Sequence, residues 1–175
     1  MYLANLDAAT RRHMVDEINR DIAAGALYVS PRLSEVGRQA YPALLLDAAE
    51  RGDAESLAAE LRVRARLNIT EISTRNGKTY SKRVPVNAAE TMAEGEFNRF
   101  YARGVCVRAM EENVGEVIVY RAKQVASPRL QSEAMIGVAV RAAQLLEDLR
   151  VNVGVEPALG IPPGPNSGLS VCLPT

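Results

Sequence analysis

The sequence predicts an α+β fold, and three observations carry that prediction. Residues 1–61 show helical spacing of apolar positions broken at short intervals by Gly and Pro. From Arg62 the period changes from 3.6 to 2 and leads into an Asn76-Gly77 turn, the strongest short-range hairpin signal. After Val86 comes a helical pattern of about 25 residues, then a strand, a second apolar helix and a short terminal strand. The expected architecture is a long central helix and a second buried helix with a small antiparallel sheet. An N-terminal helical arm (1–61) precedes an α+β core (62–175) with a projecting hairpin at 67–86 and an ordered C-terminal tail at 157–175.

Asp7 is placed to cap a first helix with Met14, Ile18 and Ile22 on one face and Gly25 as its stop. Ser30-Pro31 reads as the start of a second helix, which Pro42 should break or kink. A third segment ends at Gly52, and Asp53 caps a fourth carrying Leu57 and Leu61. Val63, Ala65, Leu67 and Ile69 alternate with Arg64, Arg66 and Asn68 as in a half-buried strand. Counting outward from Asn76-Gly77 sets Arg75 opposite Lys78, Glu71 opposite Lys82 and Ile69 opposite Val84. Apolar residues then collect at the ribbon base, with Ile72 and Tyr80 further out on opposite faces. The base should join a core while the tip projects, because a lone two-stranded ribbon is marginally stable at best.

Asn87 and Glu90 have capping-box spacing at the head of the long helix. Phe97, Tyr101 and Val105 form one apolar line along it, and Phe100, Gly104 and Val107 form another. Gly95 and Gly104 each cost about 1 kcal/mol relative to alanine inside a helix, which predicts close approach of another backbone. Gly115 to Lys123 reads as a strand with Val117 and Val119 on one face. A helix beginning near Ser127-Pro128 and reaching Arg150 is apolar around most of its circumference and should be buried on several sides. Gly160 to Gly168 reads as a rigid loop, since its three prolines remove N–H donors and it holds no Gly-Lys-[Ser/Thr].

With 21 basic and 21 acidic residues the chain has no net charge, so no global field favours nucleic acid or an anionic membrane. The balance is local: residues 62–83 carry seven bases and one acid, a net +6, while 47–60 carry five acids and one base. Such neighbouring segments match each other within or between subunits. Cys106 and Cys172 are too few for a disulfide framework, and are expected as reduced thiols in a cytoplasmic or virion protein. Met1-Tyr2-Leu3 lacks the basic start of a secretory signal, and no apolar run reaches membrane-spanning length.

The chemistry-bearing residues are few. His13 stands without a nucleophile motif and reads as a surface helical histidine; one His and two distant Cys cannot make a structural zinc site. Glu116 and Lys123 flank a strand, but a nuclease-type site needs a carboxylate where Arg121 stands. Glu96, Arg99 and Arg103 share one helix face, either as solvated ion pairs worth a few tenths of a kcal/mol or as a polar contact to a subunit or phosphate. The remaining candidates for an assembly or anion contact are Arg62, Arg64, Arg66, Arg75, Lys78, Lys82 and Arg83. No catalytic residue, metal or cofactor is expected.

The order of helical arm, extended ribbon and long helix over about the first 110 residues resembles the start of tailed-phage major capsid proteins, in architecture and without a shared motif. The rest of the chain is shorter than that family's remaining domains, so a connector or accessory virion protein fits as well. The expectation is a non-enzymatic structural subunit that assembles with copies of itself. The alternatives are a nucleic-acid-binding module using the basic hairpin, where Tyr80 is the one stacking aromatic, and an enzyme with a polar site on the 88–112 helix.

Overall fold

The structure, a computed structural model, describes residues 1–154 and 167–174. Among them lie six helices, α1 (Ala8–Ala23), α2 (Glu35–Arg51), α3 (Ala54–Leu61), α4 (Ala88–Glu111), α5 (Leu130–Ala134) and α6 (Ala142–Val151). Five strands complete the fold: β1 (Thr70–Arg75), β2 (Lys78–Arg83), β3 (Glu116–Arg121), β4 (Ala139–Arg141) and β5 (Leu169–Cys172). β1 and β2 form an isolated antiparallel ribbon, while β3 is the middle strand of a three-stranded antiparallel sheet ordered β4-β3-β5. The fold is α+β, as the sequence predicts. No helix of the described residues is long and apolar enough to cross a membrane.

The core forms around α4. Phe97, Phe100, Tyr101 and Val105 are buried there with Met14 and Ile18 of α1, Leu57 and Leu61 of α3, Val117 and Val119 of β3, and Leu145 and Leu146 of α6. The N-terminal helices expected as an arm therefore contribute to the same cluster as the residues after position 62. Gly104 allows this packing: a Cβ there would lie 2.9 Å from the Thr10 carbonyl oxygen and 3.0 Å from Met14, the close backbone approach its place in a helix predicts. Gly95 shows no such neighbour, since a Cβ there would meet no described residue within 4 Å.

Local signals hold where side chain and backbone satisfy one another directly. Asp7 accepts from the Thr10 N–H at 3.1 Å, and Asp53 forms a reciprocal box with Ser56. Asn76 and Gly77 both adopt positive φ (52° and 73°), as a type I′ turn demands, and the register pairs Arg75 with Lys78 and Glu71 with Lys82.

Five local expectations are corrected. α2 starts at Glu35, capped by Ser34 rather than Ser30, and runs through Pro42 without a break; Tyr41, Leu45, Ala48 and Ala49 are buried along it. Packing on both sides of Pro42 holds the helix despite the missing donor. Residues 62–69 are not a strand, because their backbone and Asn68 bond to the loop before α2. Ser34 N–H donates to the Arg66 carbonyl (3.0 Å), Asn68 N–H to that of Arg32 (2.9 Å) and the Asn68 amide to those of Pro31 and Leu33. Ala65 takes φ 71° and Ile69 is 83 % exposed, so the ribbon base does not bury its apolar residues as a set.

Asn87 makes no capping bond: its backbone is not in the extended cap conformation, and Glu90 is drawn to Arg62 instead. The long helix expected over 128–150 is split into α5, β4 and α6. Gly137 takes φ 84° and donates to Val119, which in turn donates to Val138; a short apolar run of this kind is ambiguous between helix and strand by period alone. Ile136 and Val138 are exposed, and the buried face belongs to α6 through Ala142, Leu145, Leu146 and Leu149. Finally, the expected rigid loop at 160–168 and tail at 157–175 fall largely outside the described residues, and within the described part of the tail β5 forms the expected last strand.

Candidate functional site

The sequence-predicted candidates separate into an exposed ribbon and a buried helix face. On the ribbon, all six residues of β2 are exposed, and in β1 only Glu71 and Ser73 are partly covered. Glu71 anchors the base to the body. It accepts from Arg32 Nε at 2.6 Å and pairs with Lys82 at 3.2 Å; chiefly the Arg32 hydrogen bond holds its carboxyl below the usual range. Just before the ribbon, Arg62 binds Glu90 (2.5 and 2.9 Å) and Arg66 binds Glu60 (2.6 Å). Arg64, Arg75, Lys78 and Arg83 have no ion-pair partner among the described residues. Seven basic candidates thus reduce to four free cations, two of them at the ribbon tip.

Glu96, Arg99 and Arg103 are not a solvated face. They are 6 %, 8 % and 0 % exposed. α1 and α2 cover this side of α4, and the acids that meet Arg103 come from α1. Arg103 donates from Nε to Glu17 Oε2 (2.8 Å) and from Nη1 and Nη2 to Asp21 (2.6 and 2.8 Å), with its guanidinium 4.8 Å from the Phe100 ring centroid. Arg150 of α6 closes the group by donating to Glu17 from Nε at 3.0 Å. Burial pushes the Glu17 carboxyl up, but hydrogen bonds from Arg150 and Arg103 outweigh it and hold the group below its usual range.

One turn earlier the arrangement is open. Arg99 donates to the carbonyls of Leu149, Asn152 and Gly154 at the end of α6, so it caps that helix. Its Nε lies 3.9 Å from Glu96 Oε2, too far for a hydrogen bond. Both of these atoms are buried without a partner among the described residues. Burial raises the Glu96 carboxyl to about 7 against the weaker pull of Arg99 and Arg103, and lowers Arg99.

The remaining candidates carry little chemistry. His13, expected at the surface, is 4 % exposed, with Nε2 3.4 Å from Glu111; α1 turns it into the body beside Thr10 and Glu17. Cys106 and Cys172 are free thiols, and burial pushes Cys106 up to about 12, which makes it a poor nucleophile. Lys123 is held by Glu94 at 2.6 Å. Among the described residues no group of three or more His, Cys, Asp or Glu could hold a metal ion.

Sequence reasoning missed Glu17, Asp21 and Arg150 as partners of Arg103. A signal was present: Met14, Glu17, Ile18 and Asp21 follow i, i+3, i+4, i+7 spacing, which places two acids inside an apolar stripe. Comparisons with protein-family models, curated proteins and solved structures gave no match.

Proposed function

We propose that the protein is a non-enzymatic structural subunit that assembles with copies of itself, the basic ribbon of one copy docking on the acidic α2–α3 end of the next. The observation that supports this most is the ribbon's lack of cover. All of β2 is exposed, Ile69 and Ile72 are 83 % and 72 % exposed, and Arg64, Arg75, Lys78 and Arg83 stand unpaired among the described residues. A two-stranded ribbon gains its stability from contacts outside itself.

Charge complementarity selects the partner. Glu50 and Glu55 are exposed and unpaired among the described residues at the α2–α3 end, beside the Asp53 cap. Repeated head-to-tail, this contact generates rings or filaments, and made reciprocally it closes a two-fold dimer. Within this class, the sequence order of helical segments, ribbon and long helix supports a phage virion role, as a capsid or head accessory subunit. Cytoplasmic synthesis followed by incorporation into a particle fits that role.

Light scattering and negative-stain microscopy of the purified protein test the proposal. Rings, filaments or particles are expected, and a clean monomer at tens of micromolar would overturn it. Arg75→Glu with Lys78→Glu should dissolve the assemblies, and adding Glu50→Lys with Glu55→Lys should restore them. If instead the wild-type protein stays monomeric and binds an oligonucleotide with affinity falling steeply as salt rises, the nucleic-acid alternative replaces it.

A further inference from the structure

Between the ribbon base, α2 and α4 lies a cavity of about 270 Å³, just below the roughly 300–1,000 Å³ of sites for drug-sized ligands. Its walls include Tyr28, Tyr41, Met92, Gly95 and Glu96, with the Arg32–Glu71 ion pair on the ribbon side. Gly95 opens the α4 wall. It costs the helix about 1 kcal/mol relative to alanine, and no described residue fills the space its side chain would occupy.

Two lining polar groups have unused hydrogen-bonding capacity. The Glu96 carboxyl accepts no hydrogen bond from any described residue, and neither does the Tyr41 hydroxyl, whose residue is 2 % exposed. A buried carboxyl left in that state is costly. An ionised carboxylate only accepts, so the missing partner is a donor. The nearby cations are already engaged: Arg32 by Glu71, Arg103 by Glu17 and Asp21. Arg99 faces the carbonyl end of α6, whose dipole offsets part of its charge.

We propose that this cavity binds a small primary ammonium compound, its N–H donors directed at the Glu96 carboxylate and the Tyr41 hydroxyl oxygen and its alkyl stem lying along Tyr28 and Met92. The aromatic rings favour a cation over a neutral donor of the same shape. Binding selects ionised Glu96, so affinity climbs as pH rises through about 7. The charged and titratable groups facing Glu96 are Arg99 and Arg103 from its own helix, Asp21 from α1 and Tyr41 from α2. The first two favour its ionisation and Asp21 opposes it.

The test is an NMR titration of the full chain with butylammonium, compared with 1-butanol (a donor without charge) and tetramethylammonium (a charge without N–H). Saturable shifts at Met92 and Gly95 with millimolar affinity are expected, about tenfold tighter at pH 8 than at pH 6. Both comparators should bind at least about tenfold more weakly. Glu96→Gln should weaken butylammonium at least about tenfold and remove the pH dependence, while Tyr41→Phe weakens it less. Absence of saturable shifts in the wild-type protein would overturn the proposal. So would unchanged affinity in Glu96→Gln, or 1-butanol binding as tightly as butylammonium.

Discussion

Arg103 and Glu96 stand about two turns apart on the same buried side of α4, yet they solve the burial of charge in opposite ways. Arg103 meets two carboxylates from α1, and one of these meets a second arginine from α6. Its group is closed, and the Glu17 carboxyl is held below its usual range. Glu96 meets no donor within hydrogen-bond distance among the described residues, and burial lifts it to about 7. Burial alone therefore does not set the outcome. What decides is whether the neighbouring elements present partners at bonding distance, and among the described residues α1 and α6 do so.

The largest effect should come from opening the closed group. Arg103→Met leaves Asp21 and part of Glu17 buried without their cation, and is expected to cost about 3–5 kcal/mol, read as a drop in the urea midpoint. A loss below about 1 kcal/mol would mean that the two groups do not differ in kind.

Removing the open group's charge should act the other way. The native carboxyl of Glu96 binds its proton up to about 7 against an ordinary value of 4.5. The native state thus holds more protons than the unfolded state between those values, and stability falls as pH rises across that window before levelling off. Glu96→Gln should match wild type near pH 4 and exceed it above pH 8 by about 1–3 kcal/mol, each pKa unit being worth about 1.4. Glu17 runs in reverse: its contribution is present above its unfolded value and is lost as acid protonates it. Thermal melts across pH separate the two.

The glycines offer a finer comparison on the same helix. Gly95→Ala should stabilise by about 1 kcal/mol, since the new methyl meets no described residue. Gly104→Ala should destabilise by about 1–3 kcal/mol, because it presses on the Thr10 carbonyl and Met14. Equal effects would remove the distinction between a helix face packed on α1 and one open to a cavity. Smallest of all, Lys78→Glu at the exposed ribbon tip should leave the unfolding free energy, read by denaturant titration, within about 0.5 kcal/mol of wild type.

Much of the fold was legible wherever a signal is satisfied within a few residues. Asp7 and Asp53 each reach an N–H three positions on. Asn76-Gly77 imposes the positive φ its turn requires, and the alternation of Val117 and Val119 matches a strand with one buried face. The misread segments are those whose partners lie far along the chain. Asn87 leaves the extended cap conformation, and the Glu90 carboxylate that would complete its box pairs with Arg62, 28 residues away. Residues 62–69 looked like a strand, but their backbone bonds go to 31–34. The candidate site was half legible: the Glu96, Arg99 and Arg103 spacing stood out, while their burial did not. A 3.6-residue period aligns polar groups on a face without saying whether that face meets water or another helix.

By itself, then, the sequence determined the α+β class, the ribbon with its turn and register, the long helix and the concentration of positive charge over 62–83. Each comes from dihedral preference, periodicity or composition, which operate over short spans. The tertiary structure alone decided which charges are neutralised and which remain open. α1 carries Glu17 and Asp21 to Arg103, the end of α6 draws Arg99 away from Glu96, and Arg62, Arg66 and Lys82 find acids nearby. Ion pairing depends on distances of a few ångströms between residues up to 133 positions apart, and only packing sets those distances.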